Sequence, residues 1–121
     1  MKIGNSIFEG GKVEALNALV VLPLPIKEAY RLMKFVKELK EKEDVYQGVK
    51  ISIFKKYGNE KKDGTIEIKK ENQKKAFKEL NELLAIKEEY SLDRKIVLPN
   101  NIEFSAAQLM SLEDVAEVKN A

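Results

Sequence analysis

A mainly α fold, a long antiparallel helical hairpin with a short N-terminal helix and a small two- or three-stranded β-element, follows from three features of the sequence. Pro25–Tyr57 carries an apolar stripe at 3-4 spacing and opens on a proline. Lys69–Glu89 carries a second stripe of the same period. The run Gly58–Gly64 between them is polar, with glycine at each end. Two such helices joined by a short loop pack antiparallel as a rule. Residues 1–121 form one domain on length alone, large enough for a real core.

The long stretch is predicted as a helix because proline at the first helical position loses no hydrogen bond. Ala29, Leu32, Val36, Leu39, Tyr46, Ile53 and Tyr57 fall on one side of it, interrupted by Glu43 and Lys50. Gly58 offers the left-handed residue that commonly ends a helix. Gly48 is the weak point, since a mid-helix glycine costs about 1 kcal/mol relative to alanine and Val49–Ile53 alternates like a strand. The stripe keeps its phase through Gly48, so one continuous helix is expected. Its length of about 50 Å exceeds what a domain with a radius of gyration of roughly 14 Å covers with ease. Part of it is therefore expected to protrude, to break, or to meet another chain.

Met1–Gly11 fits either a short strand or a segment laid over the core, and Gly10-Gly11 separates it from Val13–Leu22, which reads as a buried helix. Pro23 ends that helix, and the stiff Leu22–Pro25 link folds it back on the long one. After the loop, with its Asp63-Gly64 turn, Thr65–Ile68 alternates like a strand. Lys69–Glu89 is then helical, with Ala76, Phe77, Leu80, Leu83, Leu84 and Lys87 on its stripe. Arg94–Pro99 reads as a strand able to pair with Thr65–Ile68 or with the N-terminal segment. Ser105 caps a helix from Ala106 to about Leu112. Ser111–Asp114 resembles a second helix start, and the last few residues are expected to fray.

Several motifs together carry a family resemblance. They are Leu24-Pro25-Ile26-Lys27 opening the long helix, Lys55-Lys56-Tyr57-Gly58 before the Asp-Gly loop, and Phe77-Lys78-Glu79-Leu80-Asn81-Glu82-Leu83-Leu84. A tail of Ile96-Val97-Leu98, Ser105, Leu109 and Leu112-Glu113 completes the pattern. In this order the chain resembles, over about residues 13 to 118, a family of small uncharacterised proteins of tailed phages and prophages of Firmicutes. It departs from the pattern at Ile3–Gly11, an additional lead-in. The resemblance implies a phage origin and a helical hairpin, and it supplies no activity and no functional residue.

The chain contains no Cys and no His. It therefore lacks thiolates, the commonest general base and the commonest metal ligand, and no enzyme activity, catalytic residue, cofactor or metal is expected. The apolar run Ala15–Leu24 is too short to cross a bilayer, so no membrane partner is expected. Residues 25–62 hold eleven basic against six acidic side chains. Lys27, Lys34, Lys37, Lys40 and Lys42, interleaved with Glu28, Glu38 and Glu41, read as the solvated face of an amphipathic helix in preference to a nucleic-acid surface. Glu41, Glu43 and Asp44, or Glu88 and Glu89, read as surface charge in preference to a cation site.

Glu43 and Lys50 lie on the stripe, where a polar residue either fixes register between copies or is simply exposed. The candidate oligomer seam is therefore Ala29, Leu32, Val36, Leu39, Glu43, Tyr46 and Lys50. Two function classes follow. One is a phage structural or assembly component that acts through helix packing, as a coiled-coil-like homo-oligomer or with other phage proteins. The other is an infection-phase protein that binds a nucleotide, nucleic acid or host defence protein. Either places the chain in host cytoplasm or the virion.

Overall fold

In the computed structural model, which describes residues 1–101 and 104–119, the chain is mainly helical. Helix α1 spans Lys12–Val20, α2 Ile26–Tyr57, α3 Gln73–Ala85 and α4 Ala106–Ser111. Among the described residues, six three-residue strands pair two by two. Strands β1 (Lys2–Gly4) and β4 (Lys87–Glu89) are antiparallel, as are β2 (Gly58–Glu60) and β3 (Ile66–Ile68). Strands β5 (Ile96–Leu98) and β6 (Ala116–Val118) are parallel. The β-structure is thus three separate pairs rather than one element.

α2 is continuous over 32 residues and passes through Gly48 without a break. Pro25 stands one position earlier than expected, as the N-cap, where its carbonyl accepts the first helical bond from Ala29 N at 2.9 Å. Gly58 ends the helix for a reason the sequence did not suggest. Its backbone is extended (φ −128°, ψ 173°) rather than left-handed. A Cβ there would lie 2.7 Å from Glu67 O and 2.8 Å from Phe54 O, so glycine is required by the close approach of β3. The polar loop accordingly contains a strand, and only Lys61–Thr65 turns. There Asp63 Oδ1 accepts from Thr65 N at 3.0 Å and from Thr65 Oγ1 at 2.7 Å.

The second helix is shorter than its pattern. A 3-10 turn occupies Lys70–Asn72, α3 stops at Ala85, and Lys87–Glu89 is a strand. Pairing with β1 draws the chain out of the helix, and the buried Asn5 closes the helix end. Asn5 Nδ2 donates to Leu83 O at 3.0 Å and Asn5 N to Ile86 O at 2.9 Å, occupying carbonyls that a longer helix would have used itself. Phe77, expected on the packed stripe, is 55% exposed, while Ala76 and Leu83 are buried. α3 packs against the C-terminal half of α2, where Lys56 pairs with Glu79 at 3.0 Å and Asn72 Nδ2 donates to Tyr57 O at 3.2 Å.

The N-terminal half of α2 is covered by the same chain. Leu16 and Leu19 of α1, Ile96 and Leu98 of β5, and Tyr90, Leu92, Leu112 and Val115 share one core with Leu32, Phe35, Val36 and Leu39. The lead-in joins this core through Ile7 and Phe8, which follow β1 in a 3-10 turn, so it is both strand and cover. β5 pairs with β6 rather than with β3 or the N-terminus, because the Ser105-capped α4 turns the chain back alongside β5. That cap is a complete capping box, with Gln108 N donating to Ser105 Oγ and Ser105 N to Gln108 Oε1, both at 3.1 Å. Ser111–Asp114 continues into a turn, not a second helix, and residues 116–118 are ordered in β6 rather than frayed. Asn120 and Ala121, also expected to fray, lie outside the described residues.

Candidate functional site

α2 presents two faces with different fates, and the inner one takes up most of the expected seam. Leu32, Val36, Leu39 and Tyr46 are buried within the single chain, and Ala29, Glu43 and Lys50 are half-buried beside them. Sequence spacing alone missed Phe35, which is fully buried and stacks edge-on against Tyr90 with ring centroids 5.3 Å apart. Phe35 lies three residues after Leu32 and four before Leu39. It belongs to the same broad apolar arc, which a strict 3-4 count reads too narrowly.

Lys50 faces the lead-in. Its Nζ is 2.6 Å from Glu9 Oε1, and the Tyr46 hydroxyl donates to that same oxygen at 2.5 Å, with Phe8 stacked on the Tyr46 ring at 5.1 Å. The Lys50 hydrogen bond, then that of Tyr46, holds the Glu9 carboxyl below its ordinary range. Burial first, and Glu9 second, pushes the Tyr46 hydroxyl up. Glu9 has its pKa depressed on folding, so its contribution to stability is complete above about pH 4.5 and is lost as pH falls through the lowered value. Tyr46 has its pKa raised, so its contribution is complete below about pH 10 and lost as pH rises further. Glu9 is 41% exposed, which keeps the acid effect small. Glu9→Gln is expected to flatten the acid limb of Tm between about pH 5 and pH 3. Parallel limbs for wild type and variant would refute this assignment.

At the other end of α2, inward-facing charges tie down residues 89–97. Arg31 contacts Glu28 Oε2 at 2.6 Å and donates to Arg94 O at 2.5 Å, and Glu28 Oε2 also accepts from Val97 N at 3.1 Å. Glu38 accepts from Ser91 N at 3.0 Å and Ser91 Oγ at 2.7 Å. Lys42 donates to Glu89 O and lies over the Tyr90 ring, 4.1 Å from its centroid. Glu28, Glu38 and Lys42 are therefore not part of the solvated face that their spacing suggested, although Glu28 does pair along the helix with Arg31. They reach across to another segment. The Tyr90 hydroxyl is buried without a hydrogen-bond partner among the described residues, and burial pushes it up to about 12.

The outer face is what remains. Lys27, Lys34, Lys37 and Lys40 are exposed as expected, and among them stand Ile26, Tyr30 and Met33 with 83%, 70% and 54% exposure. Tyr30, Met33, Lys34, Val36, Lys37 and Lys40 line a shallow recess. Further along, Glu41 and Asp44 are exposed, followed by Gly48 and Ile51. Among the described residues, none of Lys34, Lys37, Lys40, Glu41, Glu43 and Asp44 takes part in an ion pair. No group of three or more carboxylates is placed to hold a metal ion, again among the described residues, and no helix there is long and apolar enough to cross a membrane. Compared with family models, curated proteins and solved structures, the chain matches none.

Proposed function

We propose that this chain is a non-enzymatic structural or assembly component of a phage or prophage, acting through packing of its long helix in host cytoplasm or in the virion. The phage origin rests on the motif resemblance. The mode of action rests on one observation: α2 has its inner face covered by its own chain yet keeps Ile26, Tyr30 and Met33 exposed on the outer one. Apolar side chains held in line on a rigid helix form a ready contact surface. In this reading α2 and α3 make a long helical hairpin, stiffened at its tip by the β2–β3 pair, that presents this surface to a protein partner. Peptides of the chain in purified virions or assembly intermediates are the expected result by mass spectrometry, and their absence from both would overturn the reading.

The second reading is an infection-phase binding protein. The recess beside Tyr30 favours it, because Lys34, Lys37 and Lys40 line it together with an aromatic residue, a combination suited to phosphate and base. A rise in Tm with a nucleoside triphosphate, abolished by Lys37→Ala, would select this reading over the first.

A further inference from the structure

The outer face of α2 is organised about its middle. Between Lys34 and Asp44 the exposed, unpaired charges divide by sign: Lys34, Lys37 and Lys40 on one side, Glu41 and Asp44 on the other. Glu38 and Lys42, the two exceptions in sequence, are turned inward, Glu38 to Ser91 and Lys42 to Glu89 and Tyr90. Exposed apolar residues flank these charges, Tyr30 and Met33 before them and Ile51 after.

Gly48 has no packing role inside the chain. It is exposed, its φ is helical, and a Cβ added there meets nothing within 4 Å. Any other residue except proline would suit an isolated helix better. A glycine on a helix surface does serve one purpose, which is to let a second backbone or a large side chain approach closely.

We propose that α2 pairs with α2 of a second copy, antiparallel, about a two-fold axis passing between Lys40 and Glu41. The proposal rests on the helix-packing reading above and names its partner. A two-fold contact sets each residue against the one equally far beyond the axis. Lys37 then faces the second copy's Asp44, and Lys40 faces its Glu41. Met33 lies over Gly48, and Tyr30 over Ile51. Basic residues meet acidic ones twice over by symmetry, Met33 meets the smallest residue, and Tyr30 meets another exposed apolar side chain. A parallel pairing would instead set lysine on lysine and carboxylate on carboxylate. The charge order thus selects a second copy of this chain, and selects its direction.

Two charge-reversal variants test this by light scattering across concentration. K37E/K40E makes the outer positions 37–44 acidic, and E41K/D44K makes them basic. Each alone is expected to associate at least about tenfold more weakly than wild type, while an equimolar mixture regains the dimer mass. Gly48→Leu is expected to weaken association without loss of helix by circular dichroism. The chain has no cysteine, so introduced ones report direction. Lys40→Cys self-crosslinks, whereas Met33→Cys, roughly 22 Å from its own counterpart, crosslinks only when mixed with Gly48→Cys.

A wild type that stays monomeric at high micromolar concentration, a mixture that fails to recover the dimer, or self-crosslinking of Met33→Cys would each overturn the pairing. The two proposals fail separately. A monomer found in virions overturns the pairing and leaves the structural role, and a dimer absent from virions and assembly intermediates does the reverse.

Discussion

Phe35→Ala lowers the free energy of unfolding by about 3–5 kcal/mol, the range for deleting a fully buried aromatic ring. Phe35 has no exposed surface and lies edge-on to Tyr90 at 74°, between α2 and the segment that leads into β5. Its loss removes apolar burial and opens a cavity that neither the rigid α2 nor the strand-bound segment readily collapses to fill. It also takes from the buried Tyr90 ring its edge-on partner. Urea unfolding followed by helix signal measures the change, with Lys34→Ala on the opposite face of the same turn as control, expected within about 0.5 kcal/mol of wild type. Equal losses in the two variants would mean that the inner face of α2 is not where the core lies.

Glu28→Ala is the second large effect, at about 2–3 kcal/mol. The Glu28 side chain is only 12% exposed, and Oε2 takes hydrogen bonds both from the Arg31 guanidinium and from Val97 N in the middle of β5. Removing it strands a backbone donor and takes the nearer carboxylate from a guanidinium that is itself largely covered. Glu28→Gln keeps an acceptor and loses the charge, so it is expected to cost less than half as much. A double-mutant cycle with Arg31→Met separates the two bonds, because the coupling it measures excludes the Val97 contact. A coupling near zero would show that Glu28 acts through β5 alone.

The two substitutions address how far the sequence reads as structure. The continuous α2, the short helix before it, the Ser105 cap and the β3 and β5 segments all follow from local chemistry. Their signals lie within a few residues of one another: a proline at a helix start, a 3-4 stripe, a hydroxyl three residues before a glutamine. The stripe was legible too, but not its use. A periodic apolar face says that something covers it. Whether that cover is the same chain or another depends on residues dozens of positions away.

The errors have the same origin. Lys69–Glu89 has helical spacing to its end, yet β1 pairs with Lys87–Glu89 and Asn5 closes α3 at Leu83, both from some eighty positions earlier in the chain. Gly58 is glycine because β3 crosses close to it, which no property of residue 58 reveals. Glu28, Glu38 and Lys42 have the spacing of ordinary surface pairs and are instead the ties between α2 and residues 89–97. Even the lysine-rich outer face gains its meaning only after these inward charges are subtracted, since only then do the remaining ones divide by sign about Lys40 and Glu41.

By itself, then, the sequence determined that this is a mainly helical protein with one dominant helix and neither cysteine nor histidine. Helix starts, caps and apolar periodicity are short-range effects written in adjacent residues. Tertiary structure alone decided which face of that helix is core, where α3 ends, which strands pair and which charges remain free. Each of those outcomes is a competition between groups far apart in the chain, settled by burial and by which backbone donors and acceptors find partners.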